Sequence, residues 1–271
     1  MNFHPDKCKV LTVHNTHSVY HGSPDNTVFS PYFLGSTPLK SVNVEKDLGV
    51  DITPKLNWEH QVLRLCSKAA QKLGLLRRCC FFVNDTWRAR TLYITIVRSL
   101  FESCAVVWRP TSIALLSKLE SIQKRGIKWI LNEENISYSS SEIYHRKCKE
   151  VNILPLSQRF VLIDLVHIHK VINGLVPLQL PSYLSFFTGE SRLRFNKLDK
   201  LSLVSSIIPV TKATKATTSN AFASSFFYRS HLSWNELPFE IRAIQCPVKF
   251  KSSLKAHLWS KLVNNNKCVC V

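Results

Sequence analysis

The chain has 271 residues, of which 36 are Lys or Arg and 18 are Asp or Glu, so its formal net charge is +18. Hydrophobic residues make up 45%, a share that is typical of globular domains and too high for an intrinsically disordered chain. The longest uncharged stretch, residues 171–189, contains Gly174, Pro177 and Pro181 and cannot be one membrane-spanning helix. The composition therefore predicts globular domains, no membrane partner and a polyanionic ligand.

The amino-terminal residues argue against secretion. Residues 1–13 read MNFHPDKCKVLTV, with charges where a signal peptide has its apolar core. We therefore expect an intracellular protein, in the nucleus or the cytoplasm, whose nine cysteines remain thiols. No Cys-x-x-Cys spacing occurs, and no metal site is predicted in this chain.

The positive charge is concentrated in two segments. Residues 60–130 carry thirteen basic and three acidic side chains, and residues 191–271 carry the same numbers, so each segment has a net charge of +10. Residues 1–59 and 131–190 each carry five basic and six acidic side chains. This segregation favours a surface shaped for an anion, with a merely solvated basic face as the alternative.

Short strands and turns are predicted for the first part of the chain. The β-favouring runs are Lys9–Val13, Tyr32–Gly35, Val42–Val44 and Asp47–Ile52. Pro54 ends the last run, because proline cannot donate a hydrogen bond to a sheet.

After Pro54 the apolar spacing becomes that of an amphipathic helix. Asn57 is the predicted N-cap, and the predicted buried residues are Val62, Leu65, Ala69, Leu73 and Leu76. Arg64, Lys68 and Lys72 recur every four residues and predict a basic stripe along the opposite side. Arg77 and Arg78 close the helix, where cations suit the helix dipole.

Further helices are predicted downstream. The second helix is capped within Asn84–Thr86 and buries Leu92, Ile96 and Leu100. The third helix starts at Ser112, and it buries Leu115, Leu119, Ile122 and Ile130 and carries Lys118, Arg125 and Lys128 on a polar face. The fourth helix follows a capping box at Ser139–Glu142, and two more helices are predicted at Leu156–Ile172, ending at Asn173-Gly174, and at Val248–Leu262. A low-complexity loop is predicted near 205–220, and Trp234 and Phe239 are predicted to pack in a small core.

No active site is predicted. A polymerase or nuclease needs clustered carboxylates to hold divalent metals, but the chain has seven Asp residues and no adjacent pair. Trp58, Trp87, Trp108 and Trp129 offer rings for base stacking, although their places beside apolar stripes favour core packing.

Seven groups of residues occur in the order found in one family. They are Phe3-His4-Pro5-Asp6-Lys7-Cys8; Lys46-Asp47-Leu48-Gly49-Val50; Leu56-Asn57-Trp58-Glu59-His60; Leu92-Tyr93 with Val97-Arg98-Ser99 and Val107-Trp108-Arg109-Pro110; Leu119-Glu120-Ser121-Ile122-Gln123-Lys124-Arg125; Leu154-Pro155-Leu156 with Arg159; and Trp234-Asn235-Glu236-Leu237-Pro238 with Phe250-Lys251. Through these groups the chain resembles, over nearly its whole length, the C-terminal part of the reverse transcriptase of jockey-like non-LTR retrotransposons.

The resemblance implies roles for particular residues. In such enzymes the metal-binding Tyr-x-Asp-Asp motif lies just upstream of a segment like Phe3–Val13, so the active site and its Mg²⁺ belong to the complete enzyme. Lys7 matches an accessory lysine that can assist the departure of pyrophosphate. Leu48 and Gly49 match the turn that contacts the end of the primer strand, with an ordinary turn as the alternative. Residues 57–130 match the thumb, a helical bundle that holds the product duplex.

We therefore predict a mainly α fold with a small β portion (α+β). Residues 1–56 are predicted to be a palm remnant, 57–175 a helical thumb-like domain and 176–271 a basic extension. The predicted nucleic-acid-binding residues are Leu48, Gly49, Arg64, Lys68, Lys72, Arg77, Arg78, Lys118, Arg125 and Lys128.

The predicted function is that of a truncated reverse transcriptase-derived protein that binds RNA or an RNA–DNA duplex and is inactive as a polymerase by itself. Two alternatives stay open: a protein-interaction or structural relic, with a full-length reverse transcriptase as a partner, and an incomplete sequence of an active RNA-directed DNA polymerase.

Overall fold

The computed structural model describes residues 4, 7–13, 32–83, 85–133, 135–138, 140–188, 199–206 and 220–267. In these residues the fold is mainly α-helical with a small β portion, as predicted. The helices are α1 (Glu59–Cys79), α2 (Thr86–Tyr93), a π-helical segment (Ile94–Arg98), α3 (Ser99–Glu102), α4 (Ala105–Trp108), α5 (Ile113–Ile130), α6 (Ser141–Glu150), α7 (Leu156–Ile172), α8 (Asn220–Ser224), α9 (Phe226–Asn235), α10 (Phe239–Arg242) and α11 (Pro247–Lys267). The strands are β1 (Lys9–Val10), β2 (Phe33–Leu34), β3 (Thr37–Pro38), β4 (Lys40–Ser41), β5 (Glu45–Asp47), β6 (Val50–Ile52), β7 (Leu184–Phe186) and β8 (Leu203–Ser205).

The described strands form four two-stranded sheets. β1 and β4 are parallel, whereas β2–β3, β5–β6 and β7–β8 are antiparallel. The prediction of one strand over Asp47–Ile52 is wrong, because the chain reverses at Leu48 and Gly49 and forms the β5–β6 hairpin. The predicted strand at Val42–Val44 is also wrong, since these residues connect β4 to β5.

The first helix, α1, buries the predicted apolar side. Its buried residues include Val62, Leu65, Ala69, Leu73 and Leu76. The predicted N-cap is wrong by one residue, because Trp58 occupies that position. The side chain of Asn57 instead accepts a hydrogen bond from the hydroxyl of Thr53 (2.9 Å). Leu56, with φ of 50°, cannot belong to a right-handed helix, so the helix begins after this turn.

The second predicted helix buries a different stripe from the predicted one, and a π-helical segment interrupts it. Asp85 caps α2, since its Oδ1 accepts a hydrogen bond from the backbone N–H of Trp87 (2.8 Å); Asn84 lies outside the described residues. The buried residues are Ala89, Tyr93, Val97 and Phe101, one position later than the predicted stripe of Leu92, Ile96 and Leu100, which is only partly buried. The hydroxyls of Thr95 and Ser99 donate to carbonyls four residues earlier (2.9 and 2.6 Å), a contact that favours distortion of a helix.

The next three helices lie close to their predicted positions. α5 follows Ser112 and buries Leu119, Ile122 and Ile130 as predicted, with Leu115 only partly buried. α6 is capped by Ser140, whose hydroxyl accepts from the N–H of Ile143 (3.2 Å), and Ser139 of the predicted box lies outside the described residues. α7 has the predicted bounds and is followed by Asn173 and Gly174, and the φ of 66° at Gly174 suits a residue without a side chain.

Two clusters of buried side chains form the core, and α7 belongs to both. The first combines the inward sides of α1, α2, the π-helical segment and α5 with Leu156 and Phe160 of α7. The second combines Leu162, Leu165 and Ile168 of α7 with residues of β8, α9 and α11. The predicted C-terminal extension therefore packs on the same helix as the predicted thumb.

The C-terminal segment is only partly as predicted. Trp234 is buried in the second core cluster, but Phe239 is exposed, so its predicted burial is wrong. In α10 the buried side chain is Arg242, which binds Asp199 (2.5 Å) and the hydroxyl of Ser202 (2.9 Å). Most of the predicted loop, residues 207–219, lies outside the described residues. No helix within the described ranges is long and apolar enough to cross a membrane.

Candidate nucleic-acid interface

The tip of the β5–β6 hairpin is a two-residue turn in the left-handed region. Asp47 pairs with Val50 across the hairpin, and Leu48 and Gly49 between them have φ of 45° and 89°. Such a turn matches the right-handed twist of the strands, but leucine tolerates positive φ poorly. The Leu48 side chain is 91% exposed, so its burial does not compensate this strain. Backbone strain of this kind is often found at ligand-binding sites.

Arg64 of α1 holds the hairpin turn in place. Its Nη2 donates to the carbonyl of Gly49 (2.8 Å), and its Nε donates to Oδ2 of Asp51 (2.5 Å). Asp51 is buried, its backbone N–H donates to Oε1 of Gln61 (3.0 Å), and its carboxylate also bonds to His60 (3.0 Å). A buried carboxylate therefore compensates the charge of Arg64. We assign this arginine to positioning the turn, and its direct contact with nucleic acid stays a prediction.

A basic cleft of about 220 Å³ lies beside the turn, between the hairpin, α1 and the start of α3. Its lining includes Lys46, Gly49, Arg64, Lys68 and Ser99. The described lining residues contain no carboxylate, so three cationic side chains and an accessible glycine backbone surround this volume. This combination suits phosphate oxygens, which bind ammonium, guanidinium and backbone N–H groups.

The predicted basic residues of α1 do not share one face. Lys68 lines the cleft, and Lys72 and Arg78 are exposed further along the helix. At about 100° per residue, Arg77 projects from the side opposite Lys68. Its Nη2 lies 3.5 Å from the carbonyl oxygen of Arg125 on α5. Arg77 therefore faces α5, whereas Lys68 faces the hairpin.

The predicted basic residues of α5 have different surroundings. Lys118 and Arg125 are exposed. Burial raises the pKa of the Cys66 thiol on α1, and the nearby Lys118 ammonium partly offsets this. Lys128 is half-buried, with its Nζ 5.2 Å from the centroid of the Tyr138 ring. Lys118 and Arg125 therefore add exposed charge beside α1, whereas Lys128 is held against an aromatic ring.

The basic residues divide by whether a carboxylate compensates them. Those that pair with a carboxylate include Arg64, Arg98, Arg109, Arg159, Arg229 and Arg242. Those that form no ion pair with any carboxylate in the described part of the chain include Lys46, Lys68, Lys72, Arg78, Lys118 and Arg125. The six residues named here lie on the hairpin, α1 and α5, where their charge stays available to a ligand, whereas Lys40, Arg146 and Lys149 are exposed basic residues outside this surface.

Asp164 of α7 is a buried carboxylate bound by two arginines. It accepts hydrogen bonds from Nη1 of Arg109 (2.5 Å) and from Nε and Nη2 of Arg229 on α9 (2.8 and 3.1 Å). Arg229 also donates to the carbonyl of Val106 (2.5 Å). Sequence reasoning misses this network because its partners are 55 and 65 residues apart. It ties the C-terminal segment to the predicted thumb.

A second network explains two arginines of the resemblance. Glu102 accepts from Nε and Nη2 of Arg159 on α7 (2.9 and 2.6 Å) and pairs with Arg98 four residues earlier (2.8 Å). The i,i+4 spacing of Arg98 and Glu102 is a signal that the sequence contains. These arginines are held by the fold and are not free to bind a ligand.

The groups at residues 119–125 and 154–156 meet in space. The carboxylate of Glu120 on α5 accepts from the backbone N–H groups of Leu156 (3.1 Å) and Ser157 (3.4 Å), and thereby caps α7. Gln123 donates to the carbonyl of Leu154 (3.0 Å). Burial raises the pKa of the Glu120 carboxyl group. The contacts between residues 119–125 and 154–156 therefore stabilise the fold, and no ligand is needed to explain these two groups.

The four tryptophans of the thumb-like region do not behave alike. Trp108 is fully buried, and Trp58 and Trp129 pack against the first core cluster, as the core interpretation predicts. Trp87 is 68% exposed, so that interpretation is wrong for this residue.

The remaining predicted residue, Lys7, is exposed two residues before β1, and its backbone N–H donates to the carbonyl of His4 (3.0 Å). In the described ranges no three His, Cys, Asp or Glu side chains gather as metal ligands. Because Mg²⁺ requires clustered oxygen ligands, the described residues do not fit the Mg²⁺ site that the resemblance implies for the complete enzyme.

Comparisons with models of protein families, with curated proteins and with solved structures found no match to this chain. The assignment of the interface therefore rests on the charge and geometry of its own residues.

Proposed function

We propose that this chain is the thumb-containing part of a non-LTR retrotransposon reverse transcriptase, and that it binds RNA or an RNA–DNA duplex. The contacts are made by the hairpin tip at Leu48 and Gly49 and by the uncompensated cations of α1 and α5. Such a ligand places the binding function in the nucleus or the cytoplasm.

The observation that carries this proposal is the separation of free from compensated charge. Lys46 and Lys68 line the cleft beside the hairpin turn, and Lys72 and Arg78 extend the exposed charge along α1. Arg64, in contrast, is bound to Asp51 and holds the turn. A helix with exposed cations beside a rigid turn suits a phosphate backbone that passes both elements.

Recognition is expected to depend on the backbone of the nucleic acid and not on its sequence. Lysine and arginine contacts to phosphate position a duplex but carry no base information. We propose binding alone and assign no chemical step to these residues.

The test compares the affinity of three proteins for a fluorescently labelled RNA–DNA hybrid at fixed salt. The first is the wild-type chain, and the second carries Lys68→Gln, Lys72→Gln and Arg78→Gln. The third is a matched control with the same loss of charge at exposed positions outside the interface, Lys40→Gln, Arg146→Gln and Lys149→Gln.

We expect the interface variant to lose most of its affinity and the control to keep it, with equal melting temperatures for all three proteins. Equal weakening in both variants contradicts the proposal, because net charge and not the interface then determines binding. Undiminished binding by the interface variant also contradicts it and favours the protein-interaction alternative.

A further inference from the structure

The connection between α1 and α2 carries three exposed aromatic side chains within seven residues. Phe81 is 80% exposed, and Phe82 and Trp87 are each 68% exposed. We call residues 80–83 and 85–87 the aromatic loop. Water-exposed aromatic rings forgo hydrophobic stabilisation, so a cluster of them at one connection points to a ligand.

The described backbone of the aromatic loop is held in place. The N–H of Cys80 donates to the carbonyl of Leu76 (2.8 Å), and the N–H of Val83 donates to the carbonyl of Cys80 (3.1 Å). The side chains of Cys80 and Val83 pack against the first core cluster. At the other end, Asp85 caps α2 through the N–H of Trp87. The exposed rings are therefore presented by an anchored turn.

Charge around the aromatic loop favours an anionic ligand. Residues 77–90 contain four arginines and one aspartate. Arg88 lies 3.4 Å from Asp85, and both side chains are largely exposed. Arg78 is exposed and forms no ion pair with a described carboxylate. A ligand that combines negative charge with flat apolar surfaces fits this site.

We propose that the aromatic loop stacks against unpaired bases of a single-stranded segment that extends beyond the duplex. This inference rests on the proposed function, because the exposed cations of α1 lead towards the loop and would guide the same phosphate backbone to it. Paired bases inside a duplex hide their faces, whereas unpaired bases offer them to aromatic side chains. The three exposed rings of the loop offer flat surfaces on which bases can stack.

The first test compares a blunt RNA–DNA hybrid with the same hybrid carrying a single-stranded oligouridine overhang. We expect the wild-type chain to bind the overhang hybrid roughly tenfold more tightly, since stacking on an aromatic ring contributes strongly for each base. The variant Phe81→Ala, Phe82→Ala and Trp87→Ala should lose this preference and keep its affinity for the blunt hybrid. A matched control, Tyr32→Ala and Phe33→Ala, removes exposed aromatic rings elsewhere and should keep the preference.

The outcomes separate this inference from the proposed function. Equal binding of both hybrids by the wild-type chain overturns the stacking role and leaves duplex binding intact. If neither hybrid binds, the proposed function fails. The stacking role of the aromatic loop is then tested separately, through the fluorescence of Trp87.

Oligouridine is expected to quench the part of the tryptophan emission that Trp87→Phe removes; an unquenched signal overturns the stacking role. The same tryptophan emission is also measured with vesicles of phosphatidylserine and phosphatidylcholine, which test for binding to a membrane surface. A blue shift of this emission with vesicles, without quenching by oligouridine, overturns the inference in favour of a membrane surface.

Discussion

Replacing Gly126 by alanine is expected to disturb the contact between α5 and α2. A methyl group at this position would lie 2.2 Å from Cε2 and 2.7 Å from Cδ2 of Tyr93. Non-bonded carbon atoms rest at about 3.5–4.0 Å, so the methyl group comes about 1.3–1.8 Å too close to Cε2. The Tyr93 ring is fully buried and belongs to the first core cluster, so it cannot swing into solvent.

Two effects of opposite sign determine how much Gly126→Ala changes the free energy of unfolding. In a helix, alanine is more favourable than glycine by about 0.8–1.0 kcal/mol. Overpacking of a dense core costs about 1–3 kcal/mol, and a clash with a rigid ring belongs at the upper end of that range. We therefore expect Gly126→Ala to lower the free energy of unfolding by about 1–2 kcal/mol, which corresponds to a fall in melting temperature of about 2–8 °C.

Urea and thermal unfolding, followed by circular dichroism, measure this difference. Gly74→Ala in α1 is the matched control, because its methyl group would meet only the guanidinium end of Arg78, at 3.6 Å. This control is expected to gain up to about 1 kcal/mol from helix propensity alone. If both alanines stabilise the protein equally, the described packing of Gly126 on Tyr93 is incorrect.

Three further predictions concern the buried ion pairs, the hairpin turn and a buried histidine. Asp164→Asn should lower the free energy of unfolding in urea by about 3–5 kcal/mol, because Arg109 and Arg229 would stay buried without a carboxylate. A loss below about 1 kcal/mol is typical of ion pairs at the surface and would contradict the burial of these three side chains. Leu48→Asn should raise the melting temperature, because asparagine tolerates positive φ better than leucine. The same variant should bind the hybrid more weakly, and an unchanged affinity would show that the Leu48 side chain is not part of the interface. Burial lowers the pKa of His169 below its ordinary value. As the pH drops below about 6.5, His169 therefore becomes protonated in the unfolded chain but stays neutral in the folded chain, and the free energy of unfolding falls. His169→Gln should flatten the fall in melting temperature from pH 7.5 to 5.5, and an unchanged fall would show that His169 does not contribute.

Local patterns in the sequence predict most of the helices. The stripe from Val62 to Leu76 and the bounds of α7 follow from apolar spacing and from Gly174, which act within one segment. The stripe of the second helix is mispredicted by one residue, because the sequence offers two stripes with the same spacing of four, and packing already selects Ala89 and Tyr93 in α2, ahead of the π-helical segment. The predicted strand at Asp47–Ile52 fails for a related reason, since alternation alone does not show that Leu48 and Gly49 reverse the chain.

The candidate interface is predictable only in part, because charge compensation depends on tertiary contacts. Arg64 and Lys68 have the same helical spacing, but only Arg64 reaches the buried carboxylate of Asp51. Likewise, Trp87 and Trp108 both follow apolar patterns, yet one is exposed and the other is buried. Sequence thus locates a net charge of +10 in residues 60–130, and the fold determines which of these side chains are free to bind.

The salt dependence of hybrid binding tests the central claim most directly. The affinity of the wild-type chain should fall linearly on a double-logarithmic plot against salt concentration, because phosphate contacts release counterions. Each lost contact flattens this slope by about 0.7–0.9, so Lys68→Gln, Lys72→Gln and Arg78→Gln together should flatten it by about two to three. A flat response in the wild-type chain, or an identical slope in the variant, would contradict the assignment of these residues as a nucleic-acid interface.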